Sequence, residues 1–375
     1  MVLLIDASNI QTGGGLTHLT EVLRFARPQD VGFSKVIVCS STKVLARLED
    51  RSWLVKYTHP YLNQGYFRRM VWVNLIMRSL LKKENAFLFL VGSVKPLFNW
   101  PYVTICQNLL PIEWKELRRF GYSLATLRLL VLRFLHLSAY RHARGVVFLT
   151  RYCYDALPAL TRKKITSMKV IPHGLNRKLF DGYKPARQEP NAVFRLLYIS
   201  IINEYKHQDK VLQAVLSLYE KGIRIKLELV GPAYPRSLKR INTILKKAGN
   251  PVDVLEYREQ VPYDKMPDVY HAADAFIFAS TCETFGMIIT EAMAMGMPIA
   301  CSNKSSLPET LADAGIYFDP ENVESIESAI LRVYQHEELR NELAIKARQR
   351  SLQFDWELCA LDTFSFLSET AAKMR

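Results

Sequence analysis

Short apolar runs alternate with longer stretches of helical spacing along the whole chain, and this alternation constrains the fold more than any other feature. In the first half the runs are residues 2–5, 36–39, 87–91, 103–106, 146–149 and 170–171. Between them, residues 16–27, 67–83 and 124–143 carry apolar side chains at helical intervals. Strands alternating with helices pair in parallel, with helices covering both faces of the sheet. The pattern breaks at residues 184–190, whose prolines and charges suit an exposed linker, and restarts with runs at 196–199, 227–230, 252–256, 275–278, 299–301 and 316–318. The expected architecture is therefore α/β, two doubly wound domains facing a cleft, the first spanning 1–184. A length of 375 residues, more than one core commonly holds, agrees with this.

Charge divides at the same place. Residues 1–184 carry 28 Lys/Arg against 10 Asp/Glu, a balance of +18, whereas 185–375 carry 22 against 26, a balance of −4. A basic half on a slightly acidic half implies a polyanionic partner for the first, a phosphate-rich membrane surface or a nucleic acid. The basic segment 115–144 interleaves Lys115, Arg118, Arg119, Arg128, Arg133, Arg141 and Arg144 with Trp114, Phe120, Tyr122 and many leucines. Leucines on nearly every side of the 124–143 helix place its centre in the core, leaving its flanks for anionic headgroups. No nucleic-acid-binding signature accompanies the charge, so the membrane surface is the expected partner and nucleic acid is not. The six cysteines are scattered, without CxxC pairs, and read as reduced thiols of a cytoplasmic protein. The N-terminus reads as a buried strand, not a signal peptide, and no stretch reaches the roughly 20 apolar residues of a spanning helix.

Ligands of open α/β sheets bind beyond the carboxyl ends of the strands, so the residues after each run carry the chemistry. After the first run come Gly13, Gly14 and Gly15, opening a helix; three glycines suit close backbone approach to a ligand and equally suit a tight strand-to-helix turn. After the 275–278 run, a loop opens a helix near Gly286 that ends at Gly296-Met297-Pro298. Glu283 precedes that helix and Glu291 lies within it. The amides of Phe285, Gly286 and Met287 head the helix and are placed to hold a diphosphate. Lys206, shortly after the 196–199 run, is either a phosphate-neutralising cation or a surface lysine.

Glu283 to Glu291, with its flanking Glu-x-Phe-Gly and closing Gly-x-Pro, resembles the E-x7-E signature of retaining glycosyltransferases of family 4, and in particular bacterial polysaccharide and O-antigen transferases. The glycine loop, Ile171-Pro172-His173-Gly174, and Tyr205-Lys206-His207 follow the family's order, so the resemblance spans the whole chain. It implies the GT-B architecture: a basic acceptor or membrane-facing domain at 1–184, a donor domain at 185–352 that holds a nucleoside diphosphate sugar, and a C-terminal helix within 353–375 that crosses back to the first domain. It assigns Lys206 to the diphosphate, Glu283 to the sugar and Glu291 to the ribose. No cofactor is expected, and no metal, since no Asp-x-Asp motif occurs. Two departures from the family stand out. Ile201 occupies the place of an arginine, with Arg195 and Arg258 as possible substitutes, and Gln107-Asn108 replaces a histidine after the fourth strand. His173 either faces the cleft or caps a turn, and His18, which follows the glycine loop, is either a site candidate or a residue of a solvated helix face.

The expected function is retaining transfer of a hexose to a lipid-linked glycan or similar acceptor in cell-envelope polysaccharide synthesis, on the inner face of the cytoplasmic membrane. Two rivals remain at this point: an epimerase or phosphorylase on the same fold, and an inactive membrane-peripheral scaffold.

Overall fold

The computed structural model describes residues 1–180 and 193–373; the expected linker at 184–190 lies outside the described residues. The chain divides into two units, residues 1–117, 122–174 and 355–375 in one and 118–121 with 175–354 in the other. The division falls at Gly174/Leu175 and Phe354/Asp355, earlier and later than the expected boundaries.

The first unit is a seven-stranded, all-parallel sheet of β1 (Val2–Asp6), β2 (Lys35–Cys39), β3 (Leu54–Tyr57), β4 (Ala86–Leu90), β5 (Tyr102–Cys106), β6 (Gly145–Phe148) and β7 (Met168–Val170), in the order β3-β2-β1-β4-β5-β6-β7. The central strands are buried on both faces, as continuous apolar runs require. β3 departs from the sequence pattern because it is a half-exposed edge strand whose Lys56 interrupts the apolar run. The helix Leu124–His142 corrects a second expectation. It buries Leu129, His136, Leu137, Ala139 and Tyr140, all but the first in its last two turns, while Leu124, Leu127, Val131 and Phe134 form an exposed row. Its first half is therefore a solvent-facing apolar stripe rather than core.

The C-terminal helix Trp356–Ala372 starts where Asp355 accepts hydrogen bonds from the amides of Glu357 and Leu358 at 2.7 and 3.1 Å. It lies along the first helix, Gly14–Phe25, with Phe364 edge-on to Phe33 at 6.3 Å and Asp362 paired to Lys169 at 2.8 Å. It thus belongs to the first unit.

The second unit carries β8 (Phe194–Ile199), β9 (Ile225–Val230), β10 (Leu255–Arg258), β11 (Ala275–Phe278), β12 (Ile299–Ser302) and β13 (Ile316–Phe318), in the order β10-β9-β8-β11-β12-β13, again all parallel. Residues 118–121 join this unit, with Arg119 paired to Glu321 at 2.7 Å. In both sheets the winding reverses beside the first strand, between β1 and β4 and between β8 and β11. Such reversals open a crevice at the strands' carboxyl ends.

Candidate functional site

In the second unit the reversal is flanked by Lys206, after β8, and Glu283, after β11. The loop carrying Lys206 is a 3-10 turn, Glu204–Lys206, capped by the Asn203 side chain and stopped by His207 at a left-handed φ of 52°. The loop after β11 is laced to it: the Thr281 amide donates to Tyr205 O at 2.9 Å, and His207 Nε2 lies 3.2 Å from Thr281 Oγ1. Ser305, following β12, accepts from the Glu283 amide at 2.8 Å and donates to its carbonyl at 2.9 Å. These bonds fix both side chains, and Lys206 Nζ makes a direct ion pair with the Glu283 carboxylate. The ammonium also lies 4.9 Å from the Phe278 ring centroid and 5.1 Å from that of Tyr205. Burial pushes the Lys206 pKa down, but the Glu283 carboxylate and Tyr205 outweigh it and hold the value above normal, so the lysine stays charged. Expected as separate contacts, Lys206 and Glu283 are here each other's partner.

Gly286 is the N-cap of the helix Met287–Ala294 at φ 87°, where a side chain would be strained and a Cβ would meet Leu307 at 3.0 Å. Phe285 anchors the turn, its carbonyl accepting from Thr310 Oγ1 at 2.7 Å and its ring edge-on to Phe354 at 5.2 Å. The helix closes as expected, with the Gly296 and Met297 amides donating to Met293 O and Ala292 O at 3.0 and 3.1 Å. Glu291 sits one turn in and is buried, with Tyr270 donating to Oε2 at 3.0 Å and Tyr263 to Oε1 at 3.5 Å. Burial raises its pKa to about 7 against the two tyrosyl hydrogen bonds. Neither tyrosine is part of the sequence expectation: Tyr263 and Tyr270 lie 28 and 21 residues from Glu291, and no local spacing marks them.

The two proposed arginine substitutes do not stand free. Arg195 and Arg258 both reach the buried Glu228, at 3.5 and 2.7 Å, where they balance a carboxylate inside the sheet.

In the first unit, Gly13 caps the first helix at φ 71°. A Cβ on Gly15 would lie 3.2 Å from Gln107 Oε1, so the glycine loop and Gln107 meet. The Gln107 amide nitrogen is buried without a hydrogen-bond partner, whereas Asn108 is exposed and its Oδ1 accepts from the Leu110 amide at 3.1 Å as a turn residue. His18 is not on a solvated face. It is 2% exposed, with its Nδ1 3.0 Å from His173 Nδ1, and Trp356 closes the group at 6.1 Å from His18 and 5.7 Å from His173. Burial lowers the His18 pKa to about 4, and burial with the neighbouring His18 holds that of His173 well below the usual histidine value. Trp356 is 182 residues beyond Gly174, yet a Cβ on Gly174 would meet its amide at 2.3 Å. Among the described residues no helix is long and apolar enough to cross a membrane.

Comparison with known proteins finds a family match over part of the chain. Residues 182–350 match the family described as Glycosyl transferases group 1. The O-antigen chain mannosyltransferase B of Escherichia coli is 32% identical over 169 residues, 45% of this chain and 44% of that protein. The chain thus spans less than half the length of two curated relatives it matches, 44% and 47%. Among solved structures, sucrose-phosphate synthase from Thermosynechococcus elongatus superposes with a TM-score of 0.78 at 17% identity over 100% of both chains. The Anabaena protein HepE, solved in complex with UDP and glucose, gives 0.66 at 17% identity over 100% of this chain and 99% of that one. At such identities the likeness is one of fold.

Proposed function

We propose that the chain is a retaining hexosyltransferase using a nucleoside diphosphate sugar, a reading supported by the match of residues 182–350 to the glycosyl transferases group 1 family and by two Rossmann-like domains of the GT-B fold. The observation that carries this reading is the Lys206–Glu283 pair at the β8/β11 reversal, beside a helix whose first amides have no intrahelical acceptor. An ammonium, a helix N-terminus and a carboxylate are the groups a sugar diphosphate needs: two for phosphate charge, one for sugar hydroxyls.

In this mechanism Lys206 and the amides of Gly286 and Met287 stabilise the charge that develops on the diphosphate as the glycosidic C–O bond breaks. Glu283 holds the sugar, and Glu291 holds the ribose. The departing phosphate oxygen takes the acceptor hydroxyl's proton on the face where the new bond forms, so the anomeric configuration is retained. Charge is supplied by the protein's own cation and amides, and the reaction is proposed to run without metal. In the first unit Gln107, beside the glycine loop, offers its unpartnered amide nitrogen to the acceptor. His173 serves the fold instead, packed between His18 and Trp356.

The acceptor is proposed to be a lipid-linked glycan of the cell envelope, in line with the O-antigen mannosyltransferase relative. The balance of +18 in residues 1–184 supports docking on anionic lipid, and the exposed row Leu124, Leu127, Val131 and Phe134 adds an apolar contact. The free, buried cysteines suit the reducing cytoplasmic side. A thermal-shift panel of nucleoside diphosphates and their sugars identifies the donor, since a bound ligand raises the melting temperature. NMR of the product then reads its anomeric configuration. Inversion would overturn the retaining mechanism, and binding without transfer to any lipid-linked glycan would favour an inactive homologue.

A further inference from the structure

The two hydroxyls on Glu291 are not equivalent. Tyr270, from the helix Met266–His271, is 1% exposed, and its hydroxyl also lies 3.4 Å from Ile288 O, one turn before Glu291. Its place is fixed by packing. Tyr263, from the 3-10 turn Tyr263–Lys265, is 48% exposed, and its bond to Oε1 is long at 3.5 Å. Phe180 meets both rings edge-on, at 5.8 Å from Tyr263 and 5.9 Å from Tyr270. One carboxylate oxygen is therefore anchored from the interior, while the other is covered by a ring at the surface.

We propose that Tyr270 is a positioning residue, which holds Glu291 through Oε2, and that the Tyr263 hydroxyl is a stand-in on Oε1 that a ribose hydroxyl displaces when nucleotide binds. The proposal rests on the reading of Glu291 as the ribose-binding residue and deepens it. A buried carboxylate left without donors would protonate, and an acid accepts sugar hydroxyls poorly. The tyrosines keep it available.

Among the described residues, these two tyrosines are the titratable groups bonded to the carboxylate. The helix Arg177–Phe180 presents Phe180, with Arg177 donating to Leu352 O and Lys178 exposed. Arg348 of Glu337–Ser351 serves Ala294 O at the far end of the Glu291 helix, and Leu307–Leu311 carries Glu309. With Glu291 near 7, the fraction of protein with an ionised carboxylate grows about tenfold between pH 6 and pH 8, and apparent affinity follows that fraction.

Calorimetric titration with UDP and GDP from pH 6 to 9, on the full chain and on Glu291→Gln, Tyr270→Phe and Tyr263→Phe, tests this. Dividing each affinity by that of Glu291→Gln cancels the nucleotide's own ionisation. The ratio is expected to rise about tenfold through pH 7 in the parent. Tyr270→Phe moves the midpoint upward, because a hydrogen bond to the ionised form is lost, and weakens binding at pH 7 more than at pH 9. Tyr263→Phe also moves the midpoint upward but binds at pH 9 as tightly as the parent or more so, having lost a competitor. It carries the test if the buried variant does not fold. Glu291→Gln binding like the parent at every pH would remove the ribose reading itself. Weakened Glu291→Gln with unmoved tyrosine midpoints would remove the positioning role alone, and Tyr263→Phe weak at pH 9 would overturn the displacement.

Discussion

His18 and His173 share one hydrogen between two Nδ1 atoms 3.0 Å apart, and with both rings buried neither is easily protonated. An unfolded histidine takes a proton near pH 6.5, whereas folded His18 does so only near 4. The unfolded chain therefore binds more protons between these values, so stability is full above about pH 6.5 and falls toward pH 4, by roughly 3 kcal/mol for His18. Glu291 works in the opposite sense. Raised to about 7 from 4.5, its contribution is full below 4.5 and is lost as pH rises through 7. Denaturant midpoints from pH 4 to 8 are expected to separate the two: His18→Gln flattens the acid limb, and Glu291→Gln removes the loss toward pH 7. A second residue-scale expectation concerns turnover. Lys206→Ala should lower it about a hundredfold, on the order of 3 kcal/mol, because leaving-group charge loses its cation. Glu283→Gln should not weaken nucleoside diphosphate binding, and tightens it to the extent that the carboxylate competes for Lys206, while reducing transfer; turnover of either variant equal to the parent's takes that residue out of the mechanism.

Two helices carry the predictions at the next scale. Leu124, Leu127, Val131 and Phe134 follow one another at intervals of three and four along one face, and Phe134 is 74% exposed. Three of the neighbouring cations are spent inside the protein: Arg119 on Glu321, Arg133 on the Pro111 carbonyl, and Arg141 on Thr161. Membrane docking is thus expected to have a strong apolar part. Leu127→Ser with Phe134→Ser should cut sedimentation with anionic liposomes at least about tenfold, since each buried side chain contributes roughly 1.5–3 kcal/mol. Rising salt should reduce it further, and binding indifferent to both changes would refute the helix's role. The C-terminal helix depends on Gly174, where a Cβ would strike the Trp356 backbone. Gly174→Ala is expected to cost about 1–3 kcal/mol in a denaturant titration. At this scale the sequence was legible wherever burial made apolar runs continuous. The central strands show this way, whereas β3, β7 and β10 are only half-buried, and the exposed row is not legible because leucine is as common in cores as at contact surfaces.

For the molecule as a whole, the repeated strand pattern and the charge asymmetry point to two doubly wound domains, and both sheets have that form. In the candidate site, Lys206 and Glu283 lie in loops after β8 and β11 and are singled out by their match to the family's motifs. Tyr263, Tyr270 and Trp356 were not legible, because their roles arise from packing between elements that share no local spacing. Activity is expected to survive EDTA; loss restored only by added Mg²⁺ or Mn²⁺ would contradict the assignment of phosphate charge to Lys206 and the helix amides. The Lys206–Glu283 ion pair has one more consequence, for a protein working among many dissolved anions. Its strongest phosphate-seeking cation already carries a built-in counter-anion, so free phosphate must compete with a carboxylate tethered at very high local concentration. A donor that offers Glu283 new hydroxyl partners as it takes Lys206 compensates both halves of the pair at once. On the proposed assignment the resting site would therefore act as a filter that favours the complete sugar nucleotide over its charged fragments.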